Sequence, residues 1–193
     1  MSEWWYWTVY WSVRFIFHLY CRIETHGFEH IPEKGPLMLV LNHKSLADPP
    51  MAAVLIKRRA FFMAKIELFR FRPFGWLISS VGAYPVTRGR ADRRALRRSL
   101  DILNRGYALI IFPEGHRSET GDLQQARAGA VFLAQKSGCQ VLPIGISGEY
   151  GFRKTIRYSA GKPFVISPDV SRETAQNLIM EQIAAQIPTT PRR

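Results

Sequence analysis

The chain has 193 residues, 47% of them hydrophobic and 12% aromatic, with a formal net charge of +12. That size suits one domain of ordinary core plus a short appendage, and the charge calls for an anionic partner: nucleic acid, an anionic membrane surface or a phosphate-bearing substrate. The only cysteines, Cys21 and Cys139, lie far apart without metal-ligand spacing, which excludes a disulfide framework or a zinc site and fits a reducing cytoplasm.

The chain opens on EWWYWTVYWSVRFIFHLYCR, about 18 nearly unbroken apolar or aromatic residues up to Cys21. There is no basic leader and no small-residue cleavage site, so a secretory signal is not indicated. Its length is marginal for a bilayer span, and Arg14 in its middle would cost roughly 2.5–3.5 kcal/mol on insertion scales, which disfavours a simple transmembrane helix. Glu3, Arg14 and His18 fall on one side of a helix, with Thr8 and Ser12 near the other, so the segment is not cleanly amphipathic. The crowd of Trp4, Trp5, Tyr6, Trp7, Tyr10, Trp11 and Tyr20 suits the headgroup layer of a membrane, where rings are buried and their N–H or O–H stay wet. The expectation is an aromatic membrane-anchoring helix over 1–24; the competing reading is a terminal helix packed on the protein's own core.

From residue 35 onward, strands and helices alternate. The pattern predicts a buried strand over 36–42, a proline-started helix over 48–59, a short strand over 82–86 and a helix over 91–106 ending at Gly106. It continues with a buried strand over 108–113, a helix over 125–138 with a glycine stop, a strand over 140–146, an antiparallel pair within 155–166 and a closing helix over 169–187. Strands joined by helices imply an α/β fold, a mixed, mostly parallel central sheet with helices on its faces.

Three stretches carry chemistry. In LNHKSLADPP, His43 directly follows a strand, and carboxyl ends of strands in open α/β sheets face the ligand crevice. Asp48, five residues on, can accept a bond from one imidazole nitrogen and leave the other free to take a proton from a hydroxyl. The same Asp48 also suits the N-cap of the proline-started helix, and one carboxylate has room for both duties. In IIFPEGHRS, a buried strand opens into Glu114, Gly115, His116 and Arg117, offering a close-approach backbone and a guanidinium fork for phosphate. In PVTRGR, Arg88 leaves another strand end, where it and Arg117 can converge on one dianion near His43.

These blocks, in order, resemble the glycerolipid acyltransferases, the family of 1-acyl-glycerol-3-phosphate acyltransferases. NHKSLAD matches the family's Asn-His-four residues-Asp motif, with GFEHIPEKGPLMLVLNH as its lead-in, AKIELF over 64–69, GAYPVTRGR, FPEGHRS and VLPIGI following, so the resemblance covers about residues 27–165. It implies an acyltransferase domain over 25–193 in which His43 is the general base for a glycerol hydroxyl and Asp48 orients it, with no covalent acyl-enzyme. It further implies that Arg88, Glu114, Gly115 and Arg117 bind glycerol phosphate, with Lys65 as a helper. No metal or cofactor is expected, only acyl-CoA or an acyl carrier protein thioester as co-substrate. One position departs from the pattern: His116 stands where the family commonly has threonine, which bears on acceptor fit. The absence of Gly-x-Ser-x-Gly and His-Glu-x-x-His argues against serine-hydrolase and zincin chemistry.

Arg93, Arg94, Arg97 and Arg98 line one side of the 91–106 helix opposite Leu96, Leu100 and Leu103, a face suited to anionic headgroups at about 1 kcal/mol per basic side chain. The partners expected are therefore a membrane surface with anionic lipids and a lysophospholipid acceptor, with the catalytic body on the cytoplasmic face of the cell membrane. Glycerol 3-phosphate or another lysolipid is the alternative acceptor. A non-catalytic membrane lipid-binding protein is the reading from another class, opposed by the intact His43 and Asp48. A nucleic-acid binder is disfavoured because the aromatics cluster at the N-terminus and do not interleave with arginines.

Overall fold

The computed structural model describes residues 3–87, 92–117 and 123–188. Its helices are α1 (Glu3–Tyr20), α2 (Asp48–Leu55), α3 (Arg72–Ser80), α4 (Arg93–Asn104), α5 (Ala128–Ser137) and α6 (Arg172–Ala184). Its strands are β1 (Arg22–His26), β2 (Leu37–Leu41), β3 (Ala60–Lys65), β4 (Ala83–Val86), β5 (Ala108–Ile111), β6 (Gln140–Gly148) and β7 (Thr155–Ala160). They form one seven-stranded sheet in the order β1-β7-β6-β2-β5-β3-β4, in which every pairing is parallel except β6 with β7. The expected mixed, mostly parallel sheet flanked by helices is the one observed.

The alternation of side chains along a strand divides the core in two. Leu37, Leu39 and Leu41 of β2, with Ala108 and Ile110 of β5, pack on the face covered by α1 and α2. Met38 and Val40, with Leu109 and Ile111, pack on the face covered by α4, α5 and α6. Central strands buried on both faces read as unbroken apolar runs, which is why 36–42 and 108–113 stand out in the sequence.

Two expectations need correction, and three elements stand beyond them. The helix predicted over 48–59 ends at Leu55, and the chain turns and enters β3 at Ala60. No glycine or added proline marks that end. Instead, Arg58 donates to the carbonyls of Pro32 (2.6 Å), Gly35 (2.5 Å) and Gly106 (2.9 Å), contacts distant in sequence that hold the residue outside a helix. The strands β1 and β3 and the helix α3 have no counterpart in the pattern reading. Within 155–166 there is no antiparallel pair: β7 pairs with β6 and β1, and the chain beyond it returns along β6 through a single bridge, Val141 to Phe164.

Helix α1 has two faces. Tyr6, Val9 and Tyr10 are buried in the core shared with α2. Its polar tips also finish α2: Arg14 Nη1 donates to the Val54 carbonyl at 2.9 Å and Tyr10 Oη to that of Ile56 at 3.1 Å, satisfying carbonyls left open at a helix end. The opposite face presents Trp4, Trp11, Phe15, Ile16 and Leu19 to solvent, beside Phe71, Phe74, Trp76 and Leu77 of the α3 region. Trp5 and Trp76 join the two helices, with ring centroids 5.3 Å apart. Among the described residues no helix is long and apolar enough to cross a membrane.

Asp92 starts α4. Its Oδ1 accepts from the amides of Arg94 and Ala95, each at 3.0 Å, while Oδ2 accepts from Thr87 N at 2.9 Å. These amides, Thr87 foremost, hold its carboxyl below the usual carboxylate range. Asp92→Ala is expected to lower stability at neutral pH by about 1 kcal/mol. Because the folded pKa is depressed, that contribution is present above the ordinary carboxylate pKa and disappears as pH falls through the folded value. Thermal melts of both proteins should therefore differ at pH 7 and converge in strong acid; equal melting temperatures at pH 7 would refute the cap.

Candidate active site

Five parallel strands, β2 to β6, end their carboxyl termini along one edge of the sheet, and the chemically distinctive residues leave from there. The main-chain ladder between β2 and β6 runs to Leu41 opposite Ile144. The next residue extends it with a side chain: Asn42 Oδ1 accepts from Ile146 N at 2.7 Å and Nδ2 donates to Ile146 O at 3.0 Å. An amide pairing with a main-chain N–H and C=O mimics a strand and prolongs the register by one step. His43 therefore starts from a fixed point.

His43 is 3% exposed, with its Nδ1 2.9 Å from Asp48 Oδ2. A carboxylate only accepts, so Nδ1 carries the proton and Nε2 holds the free lone pair. The Phe112 ring stacks on the imidazole at a centroid distance of 4.2 Å and an angle of 29°. Asp48 is fully buried, and Oδ2 also accepts from the amides of Lys44 (2.6 Å) and Ser45 (2.7 Å). The expected N-cap role is thus altered: Ala47 occupies the N-cap position, and Asp48, the first helical residue, turns its carboxylate back onto the preceding turn. That turn brings residues five apart into contact.

The β5 end supplies a second buried carboxylate. Glu114 Oε1 accepts from His43 N and Oε2 from Gln124 N, each at 3.1 Å, at 1% exposure. Gly115 follows with φ +77°, and a Cβ there would lie 2.4 Å from Arg127 Nε. Arg127 in turn donates from Nε to the Glu114 carbonyl at 3.1 Å and from its amide to that of Pro113 at 2.8 Å. His116 Nδ1 lies 3.1 Å from the Glu114 carbonyl, near Arg127.

A cavity of about 840 Å³ opens beside this edge, with His43, Lys65, Thr87, Asp92, Gly115 and Arg127 among the residues that line it. Its apolar walls come from α1 (Val13, Ile16, Phe17), from α3 (Phe74, Leu77, Ile78) and from α5 (Phe132, Leu133). Of the residues named from sequence, the structure brings together His43, Asp48, Glu114 and Gly115, and places Lys65 on the cavity wall, half exposed and 3.5 Å from Glu67. Arg117 is exposed, outside the described wall, and Arg88 lies outside the described residues. Glu114 is placed differently from expectation: it sits behind His43, with both oxygens taken by the protein's own amides.

A sequence model described as Acyltransferase matches residues 22–147. The chain belongs to the acyltransferase family. It is 32% identical over 142 residues to a chloroplastic 1-acyl-sn-glycerol-3-phosphate acyltransferase of Arabidopsis thaliana, an alignment covering 72% of this chain and 39% of that protein. It is 29% identical over 172 residues to the 1-acyl-sn-glycerol-3-phosphate acyltransferase of Streptococcus pneumoniae, covering 85% and 62% respectively. The chain thus spans about two fifths to three fifths of these relatives. The crystal structure of the 1-acyl-sn-glycerophosphate acyltransferase from Thermotoga maritima shares its fold, with a TM-score of 0.78 and 24% identity over 97% of this chain and 81% of that one.

Within this member of the family, sequence reading missed Asn42, Phe112, Arg127 and Tyr150, whose hydroxyl donates to Asp48 Oδ1; all four reach the site through bonds or stacking between distant segments. Asn42 and Phe112 lie inside motifs already singled out, so their neighbours were the available signal. Arg127, preceding a helix on an otherwise apolar stretch, carries no comparable mark.

Glu114→Ala would strand the buried amide of His43 and the part-buried amide of Gln124. It is expected to lower stability by about 1–3 kcal/mol and to lower turnover while leaving the acceptor KM unchanged. Denaturant unfolding and steady-state kinetics check this. A raised acceptor KM at unchanged stability would return Glu114 to substrate binding.

Proposed function

We propose that this chain transfers a fatty acyl group from an acyl thioester to the free hydroxyl of 1-acyl-glycerol 3-phosphate, giving phosphatidic acid. The observation that carries the reading is the buried His43–Asp48 pair, at 2.9 Å, with His43 lining a cavity whose walls are largely apolar. His43 Nε2 takes the proton from the acceptor hydroxyl as its oxygen attacks the thioester carbonyl. Asp48 holds the tautomer and stabilises the imidazolium that forms. Collapse of the tetrahedral intermediate expels the thiolate, which recovers the proton from His43, so no acyl-enzyme is needed. The family membership and the names of the relatives support this chemistry.

For the acceptor phosphate, Arg127 and Lys65 are the lysine and arginine side chains that line the cavity among the described residues, and Arg88 and Arg117 remain candidates from their motifs. Gly115, at φ +77°, lets the backbone turn beneath Arg127 without a side chain in the way. The thioester is carried by coenzyme A or by an acyl carrier protein, and the chemistry needs no metal or other cofactor.

The acceptor and product are bilayer lipids, and exposed apolar side chains of α1 and α3, Ile16, Phe74 and Leu77, help to line the cavity. We assign this face to the cytoplasmic surface of the cell membrane, with the arginines of α4, all exposed, attracting anionic headgroups.

Purified protein assayed with lysophosphatidic acid, glycerol 3-phosphate and other lysolipids should turn over the first fastest, and His43→Ala should lower the rate by about 10²–10⁴. A His43→Ala enzyme equal to wild type on every acceptor would sink the mechanism. Separately, Trp11→Ser with Phe15→Ser should reduce co-flotation with anionic vesicles several-fold while leaving the fold intact by circular dichroism; unchanged flotation would remove α1 from the membrane contact.

A further inference from the structure

The reaction proposed above uses only one oxygen of Asp48. The other, Oδ1, accepts a bond at 2.8 Å from the hydroxyl of Tyr150, in the loop between β6 and β7. Tyr150 Oη lies 2.5 Å from the hydroxyl of Tyr158, a fully buried residue of β7. The direction of this chain is fixed by proton count. A carboxylate only accepts, so Tyr150 spends its single proton on Asp48 and must accept from Tyr158. Both phenols are pushed upward, foremost by burial, and so remain protonated donors throughout the working range. We propose that Tyr150 is a positioning residue of the catalytic dyad: its hydroxyl, oriented by Tyr158, holds the Asp48 carboxylate and sets how strongly it pulls on the His43 imidazolium.

Three observations favour this over plain packing. Asp48 is fully buried, so Oδ1 is out of reach of bulk solvent, and among the described residues Tyr150 is the one side-chain donor to it, His43 bonding the other oxygen. Oδ2 already accepts three bonds, so the balance of charge between the two oxygens rests on Tyr150. The Tyr150 ring also contacts Phe17 of α1, at a centroid distance of 6.4 Å, and that contact survives removal of the hydroxyl. A bond donated to Oδ1 draws negative charge away from the edge that faces His43. Its loss therefore strengthens the ion pair and raises the pH at which His43 becomes a free base.

Other ionisable groups surround the dyad: Glu114 at the His43 amide, Lys65, Asp92 and Arg127 around the cavity, Lys44 bonded through Nζ to the Gly148 carbonyl, and Cys21 beside Tyr158. None is altered by Tyr150→Phe, so a shift in that variant reports on the hydroxyl.

The test reads the full chain in two ways. NMR titration of the His43 ring nitrogens should show the transition at higher pH in Tyr150→Phe than in wild type. The acid limb of kcat/KM should move upward with it, and kcat below the limb should fall about threefold or more while the acceptor KM holds. Tyr158→Phe, which leaves the Tyr150 hydroxyl in place, should move both in the same direction by less, and it decides the matter if Tyr150→Phe does not fold. Superimposable His43 titrations in wild type and variant overturn the proposal. The activity arm rests on the acyltransferase reading and the NMR arm does not, so wild-type protein that turns over no acceptor would fail that reading alone.

Discussion

Everything at the site hangs on how the carboxyl end of β2 is pinned. Two buried side chains do it from opposite sides: Asn42 reaches to both polar atoms of Ile146 on β6, and Glu114 reaches from the end of β5 to the His43 amide. A main-chain ladder alone stops at the last strand residue, where the chain would be free to fan outward. These side-chain bonds carry order one residue further, to the imidazole. Phe112, on the same β5 turn as Glu114, then closes over the ring.

The same edge concentrates buried polar groups that would be costly alone. Asp48 and Glu114 are carboxylates out of contact with water, and each is tolerated because its oxygens accept bonds already aimed at them. Low surrounding polarity strengthens those bonds and makes the loss of any one severe. Rigidity of the dyad and burial of its partners are thus one property. The proposed proton transfer benefits, since a base that stands in a fixed tautomer needs no reorganisation when the hydroxyl arrives.

Helix α1 joins this edge to the apolar surface. Arg14, which weighs against a bilayer span, is spent on the end of α2, together with Tyr10. The α2 helix begins at Asp48, so the helix carrying the exposed rings also braces the one carrying the carboxylate that holds His43. Its Phe17 reaches Tyr150 on the far side of the same carboxylate. A face suited to lipid and a site suited to acyl transfer are therefore parts of one packed unit.

By itself the sequence determined the α/β class, the central strands and the position of the His43–Asp48 pair, because these are written locally. Buried parallel strands are unbroken apolar runs, and a five-residue turn between strand and helix needs no distant partner to close. The end of α2 at Leu55, the edge strand β1, the place of Glu114 behind His43, and the arrival of Arg127 and Tyr150 were decided only by tertiary structure. Each depends on a bond between segments far apart in the chain, such as Arg58 to the carbonyls of Pro32, Gly35 and Gly106, or Tyr150 to Asp48. No periodicity encodes such a bond, since its energy appears only once the sheet has brought both partners to the same edge.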